Sequence, residues 1–286
     1  MRFVRGWVAV GTLVLCARAG WGGEEEGLPD LTVQNFFSAG WREEFEERPH
    51  SGHALRGRLF RTRPGFLERE LRVDFRAEHG SEEREYELAP EIELPLNRRF
   101  QIELEPEYVW IDGRDGEPDG HGPTWSARAA LQGIDTSDTA LNAQLGIEVP
   151  SGGDLEERRT DLNLALAGFR DLGARIGVQA HVGAHFFLGS GEHEDEPDSE
   201  LDYAIALTKT VTDETPGIAH LTAFLEGFGK TELDGRHAGR THLTLLPGLR
   251  FEIGWGVWLG AGVELPVTEP REFYETYHVA IIKELE

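Results

Sequence analysis

Seven glutamates recur at spacings of two and four: Glu85, Glu87, Glu91 and Glu93 in one stretch, Glu103, Glu105 and Glu107 in the next. In an extended chain, positions two and four apart share a face, so each stretch presents a row of carboxylates. Arg72 and Arg76 stand on the equivalent face of the preceding stretch. Like charges crowded along a narrow passage attract cations and repel anions. The same residues could instead form an acidic wall, paired with arginine, that fills the interior of a barrel with side chains. Both uses stay open at this point.

His181 and His185 lie four apart on a polar face, with His193 following. On a strand that spacing is roughly 13 Å, too long for two ligands of one zinc without a bend. They are read as lining the same interior. The segment 191–200 carries Glu192, Glu194, Asp195, Glu196, Asp198 and Glu200 without a base. Clustered carboxylates can bind calcium or magnesium, but charge runs of this kind are more often solvated loops. No metal site is assigned. G-x-S-x-G, the P-loop, H-E-x-x-H and CxxC are all missing from the sequence, so no catalytic residue and no cofactor is implied. A lipid-hydrolysing barrel would need a serine and a histidine aligned on its outer wall. Ser126 falls on the inward face, and the chain is read as a non-enzyme.

The elements that carry these residues alternate apolar and polar positions. LERELRVDFRAE from Leu67 sets Leu67, Leu71, Val73, Phe75 and Ala77 against Glu68, Glu70, Arg72, Asp74, Arg76 and Glu78. Period two over such a length means a strand. Eleven further segments continue the pattern: 84–96, 100–110, 124–132, 140–149, 160–169, 174–187, 201–211, 218–228, 241–253, 256–265 and 273–285. Twelve is an even number, and most of these segments reach the roughly 9 to 11 residues that a tilted strand needs to cross a bilayer. Tight joins at Asn97-Arg98-Arg99, IDTSDT, RDLG, TDETPG and Gly254-Trp255 interleave with longer ones at DGRDGEPDGHGP, PSGGDLEERR, LGSGEHEDEPDSE, GKTELDGRHAGR and PVTEPRE, with HGSEER counted as external. Short periplasmic turns and long external loops alternate in this way in outer-membrane barrels. Pro95, Pro150 and Pro266 end strands, whereas Pro90, Pro106 and Pro247 fall inside them and imply bulges or edges.

Residues 1–19 read as a signal peptide, with a basic start, the apolar run WVAVGTLVLCARA and Ala17-Arg18-Ala19 as cleavage site. Cys16, the sole cysteine, lies inside it, which excludes thiol chemistry from the mature chain. Residues 20–66 form a separate N-terminal segment: a plug, a helix or extra strands. Phe36, Phe37, Trp41 and Phe45 are spaced like an amphipathic helix, and SGHALRGRLFRTRPGF is basic and turn-prone. The net charge of −24 argues against nucleic acid as a partner.

A soluble or surface-attached β-sandwich that binds a ligand would alternate in the same way, with its apolar face inward. The leader, the connector asymmetry and aromatics near strand ends (Phe100, Trp110, Trp125, Phe186, Tyr203, Trp255, Trp258, Phe273 and Tyr277) favour an all-β, up-and-down antiparallel transmembrane β-barrel over residues 67–286. Residues 67–286, with their E-L-P and E-V-P strand ends, the stretch GAGVELPVTEPRE and the last strand YHVAIIKEL, resemble the outer-membrane barrels of the phenol-degradation meta-pathway (MetA) family. Barrels of this kind commonly end on an aromatic residue; the last residues here are Leu285 and Glu286. The resemblance implies a channel or transporter-like protein in the cell outer membrane, of a family whose substrates are largely unassigned; the glutamate rows favour cations among small solutes, and small aromatic or hydrophobic compounds are the other option. Its partners would be the lipid bilayer and the barrel-assembly machinery. A structural barrel that conducts nothing is the other alternative.

Overall fold

A computed structural model describes residues 28–48, 53–80, 83–113, 118–151, 159–189, 197–212, 219–269 and 273–285. The leader with Cys16, most of the acidic run 191–200 and His193 lie outside the described residues. Twelve antiparallel strands follow in chain order: β1 (Glu70–His79), β2 (Glu83–Pro95), β3 (Phe100–Gly113), β4 (Pro118–Asp135), β5 (Thr139–Pro150), β6 (Thr160–Asp171), β7 (Ile176–Leu188), β8 (Ser199–Thr210), β9 (Ala219–Glu232), β10 (Thr241–Gly254), β11 (Val257–Pro266) and β12 (Glu275–Glu284). Each pairs with its sequence neighbours, and β1 pairs with β12 from Glu70↔Glu284 to His79↔Glu275, so the sheet closes into a barrel. Closure leaves no exposed sheet edge.

The alternation resolves into an apolar outside and a polar inside. Leu71, Val73 and Phe75 of β1, Leu145 and Ile147 of β5 and Leu164 and Leu166 of β6 are exposed on the outer wall. Glu93, Gln101, Gln132, Asn142, Gln179 and Glu226 are buried within. A soluble sandwich needs the reverse arrangement, so that alternative is overturned. Backbone groups facing hydrocarbon must all be paired internally, and a closed ladder does this.

Three expectations change in detail. Pro90 and Pro106 introduce no register shift between β2 and β3, which pair through Leu88↔Tyr108 and resume in the same register at Ile92↔Leu104. The two prolines therefore oppose each other in a gap that neither could bridge with an N–H. Pro247 likewise falls in a gap between Leu245↔Leu265 and Gly248↔Gly262. On its β4 side Pro106 is directly followed by a shift at Glu107/Val109, and the other shifts, at Gln132/Ile134, Arg250/Glu252 and Glu252/Gly254, lie away from the prolines. Second, connectors 80–82 and 114–117 are as short as the turns at the other end, because their strands run further than the periodicity indicated. Third, Trp258 and Phe273 do not belong to an outer aromatic belt. They are 2% and 8% exposed, and Trp258 packs inside against Leu55, Ala280 and Ile282.

No helix forms among described residues 28–66. Residues 28–48 cap the end of the barrel that carries the short turns, and residues 53–66 run inside it. The cap is held by arginines of the turns and of the segment itself. Arg98 reaches Glu43 at 2.8 Å, and Arg48 and Arg56 meet Asp135 at 2.9 and 2.7 Å. Arg99, fully buried, donates to the carbonyls of Ala39, Gln132 and Gly133 and lies over Phe36. Leu31 and Asp135 exchange two backbone hydrogen bonds.

Candidate functional site

The interior is organised around residues 53–66, whose backbone is irregular and must find partners on the wall. The wall supplies them. Glu226 of β9 accepts the backbone N–H groups of Phe60, Arg61 and Thr62 at 3.0, 3.0 and 2.6 Å. Asn142 and Gln144 donate to the carbonyl of Pro64, Gln132 to that of Gly65 and Gln179 to that of Gly57. Gly65 lies so close to Gly168 that a Cβ there would come within 2.5 Å of its backbone. Leu55 sits among Trp258, Ala280 and Ile282, and Leu59 among Ala206, Phe224 and Leu246, so two apolar patches anchor a largely polar contact.

The seven glutamates divide into two groups. Arg58, from the inner segment, is met by Glu91 and Glu93, the latter at 2.9 Å, with Glu103 at 3.4 Å and Glu105 at 3.9 Å. Glu103 also pairs with Arg128. Glu85, Glu87 and Glu107 lie nearer the loop end, where Arg76 pairs with Glu85 and, at 2.8 Å, with Glu87. Arg72 is held by Asp74 and donates to the carbonyl of Leu59 at 3.1 Å.

His181 and His185 do converge, through a shared carboxylate. His181 Nε2 lies 2.8 Å from Asp202, and His185 lies 3.2 Å from Asp202 and 2.6 Å from Asp161. The intervening Gly183 pairs with Asp202 across the ladder, and a Cβ there would come within 2.1 Å of its carboxylate oxygen. The backbone N–H of Arg63 donates to His181 Nδ1 at 3.1 Å, tying the inner segment to this network.

Spacing in the strands did not point to Arg58, Arg61, Arg63, Arg128, Glu226 or Glu264 as partners. Arg58, Arg61 and Arg63 sit in the basic stretch SGHALRGRLFRTRPGF, whose charge was visible without its destination. Glu226 and Glu264 are single acids among small and apolar neighbours, the pattern of an acceptor aimed at one site rather than a charged row.

Above the inner segment the walls stand apart. A cavity of about 510 Å³ is lined by Arg58, Arg61, Arg63, Arg76, Arg128, Asp202 and Glu264 with Phe60, Phe187, Phe228 and Phe273. A second, of about 500 Å³, shares Phe187 and Glu200 with it and is lined by Glu85, Glu107, Glu148 and Arg159. Below the segment, at the short-turn end, the space beside Phe45, Phe66, Glu68 and Glu70 is about 40 Å³. Among the described residues, space of small-solute size lies on the loop side of the segment.

No protein-family model matches the chain, and neither does any curated protein. Solved structures do match. An outer-membrane channel from Pseudomonas putida F1 is 12% identical with a TM-score of 0.56, over 84% of this chain and 100% of that one. The NanC porin is 9% identical with a TM-score of 0.53, over 76% and 100%. The KdgM porin is 12% identical with a TM-score of 0.50, over 75% and 99%. The chain thus has the fold of the porin-like barrels of the outer membrane.

Proposed function

We propose that the protein is a channel of the cell outer membrane that passes small solutes passively, with residues 53–66 as an internal plug. The observation that carries this reading is an apolar outer wall around a polar interior whose cavities, about 500 Å³ each, lie toward the loops. The outer wall makes the lipid bilayer a partner, and delivery there would require the barrel-assembly machinery. Arg72, Arg76, Glu85, Glu87, Glu91, Glu93, Glu103, Glu105, Glu107, His181 and His185 are the lining residues of this reading.

Within it, the passage prefers cations. Arg58, Arg76 and Arg128 are taken up in ion pairs, and the cavity nearer the mouth is lined by four carboxylates, Glu85, Glu107, Glu148 and Glu200, beside Arg159. The phenylalanines of the deeper cavity would suit small aromatic or hydrophobic compounds as well. Planar-bilayer recordings under a salt gradient test the reading. A reversal potential of the cation-selective sign is expected, and the anion-selective sign would remove the charge preference. Insertion without current, even after deletion of residues 53–66, would leave a structural barrel in place of a channel.

A further inference from the structure

Three carboxylates meet where the plug becomes the wall. Glu68 precedes β1, Glu70 opens it and Glu93 faces Glu70 from β2; one oxygen of each lies within 4.8 Å of the other two. They are 8%, 2% and 0% exposed. Glu93 is shared between Arg58 at 2.9 Å and the Gln101 amide at 2.5 Å. Glu68 accepts the Arg58 N–H with Oε1, while its Oε2 has no partner. Glu70 Oε1 has none either, and among the described residues no cation lies within 4 Å of Glu68 or Glu70. The nearby Arg250 donates to the carbonyl of Arg58 and lies over Trp258.

Carboxylates buried without a counter-charge are too costly to keep ionised; either a proton or a metal ion must compensate them. We propose that Glu68, Glu70 and Glu93 bind one hard divalent cation, calcium or magnesium. Such ions take carboxylate and water oxygens. The cluster supplies three carboxylates, two with an oxygen no other group uses. The cavity of about 40 Å³ lined by Glu68, Glu70, Glu47 and Glu284 gives room for the completing waters. Glu91, Glu93 and Glu103 form a second triad of similar geometry, but there Arg58 and Arg128 already supply the positive charge. The bound ion would join the end of the plug to β1 and β2 and fasten it at the short-turn end, whether or not the barrel conducts.

The test uses the full chain refolded in detergent and stripped with EDTA at pH 7.5, titrated with calcium or magnesium alone while binding and heat-induced unfolding are followed. One ion per chain and a rise of several degrees in the unfolding temperature are expected at saturation. Glu70→Gln and Glu68→Gln should each weaken binding at least tenfold, whereas Glu44→Gln, at an exposed position, should leave it unchanged. Two substitutions guard against one failing to fold. Absence of saturable binding, with Glu70→Gln as stable as the parent, would mean that protons occupy the cluster and would overturn the proposal. Equal binding by the parent and both Gln variants would overturn it as well, by placing the ion elsewhere.

Discussion

At the short-turn end Arg48, Arg98 and Arg99 bind residues 28–48 across the mouth, and the plug beneath them leaves about 40 Å³. At the loop end the same twelve strands stand around cavities of about 500 Å³. The difference does not come from the strands, which close into one barrel with every strand paired on both sides. It comes from which inward side chains have a partner on the N-terminal segment. In the lower half the side-chain amide N–H groups of Gln132, Asn142, Gln144 and Gln179 donate to its carbonyls and Glu226 accepts its N–H groups, whereas Glu85, Glu107 and Glu148 line the cavity toward the loops. The wall is the same at both ends; residues 53–66 narrow the interior at one of them.

The largest expected effect on that contrast is loss of Glu226, which takes three backbone donors at once. Hydrogen bonds to charged groups contribute about 1.5–3 kcal/mol each, and since the three act together Glu226→Ala should weaken plug anchoring by about 3–5 kcal/mol. Protease cleavage within residues 53–66 should become fast while the barrel keeps its heat-modifiable mobility. Resistance equal to the parent would show that the plug is held by other contacts. Next comes the wall itself: Leu166, 55% exposed in mid-β6, should cost about 2–4 kcal/mol as Leu166→Arg, the penalty of a cation facing hydrocarbon. An unchanged urea midpoint in lipid would contradict the inside-out assignment.

Gly183→Ala should cost about 1–3 kcal/mol by overpacking against Asp202. Its effect should appear at the His181–Asp202–His185 network, as shifted imidazole NMR signals, before it appears in overall stability. The smallest effect concerns the cap. Hydrogen bonds from the Gly40 N–H and from Arg98 hold the Glu43 carboxyl below the usual carboxylate range. A depressed carboxyl contributes stability above its unfolded pKa that is lost as pH falls through the folded value. Acidification through the carboxylate range should therefore loosen the cap, by less than about 1 kcal/mol because Glu43 is well exposed. Glu43→Gln should remove that pH dependence in hydrogen exchange of residues 28–48.

Strand number, closure and the outward face were legible because they follow from period-two alternation, which a wall apolar on one side enforces along every strand. A plug was one of three readings of residues 20–66, and nothing local selected it, since the backbone of 53–66 meets Glu226, Asn142 and Gln179 from distant strands and leaves no local period. Trp258 departs from its expected place for the opposite reason: it is apolar and inward because it packs with Ile282 on Leu55, so β11 and β12 carry apolar residues on both faces. The glutamate rows could be placed on one face, but Arg58, which distinguishes a paired wall from an open one, lies outside the strands altogether.

Single-channel conductance in planar bilayers, compared between the intact chain and one lacking residues 53–66, tests the central claim most directly. A plug that closes the lower half predicts an increase of about tenfold or more on deletion, since conduction is set by the narrowest constriction. Equal conductance of the two chains, with both correctly inserted, would contradict it.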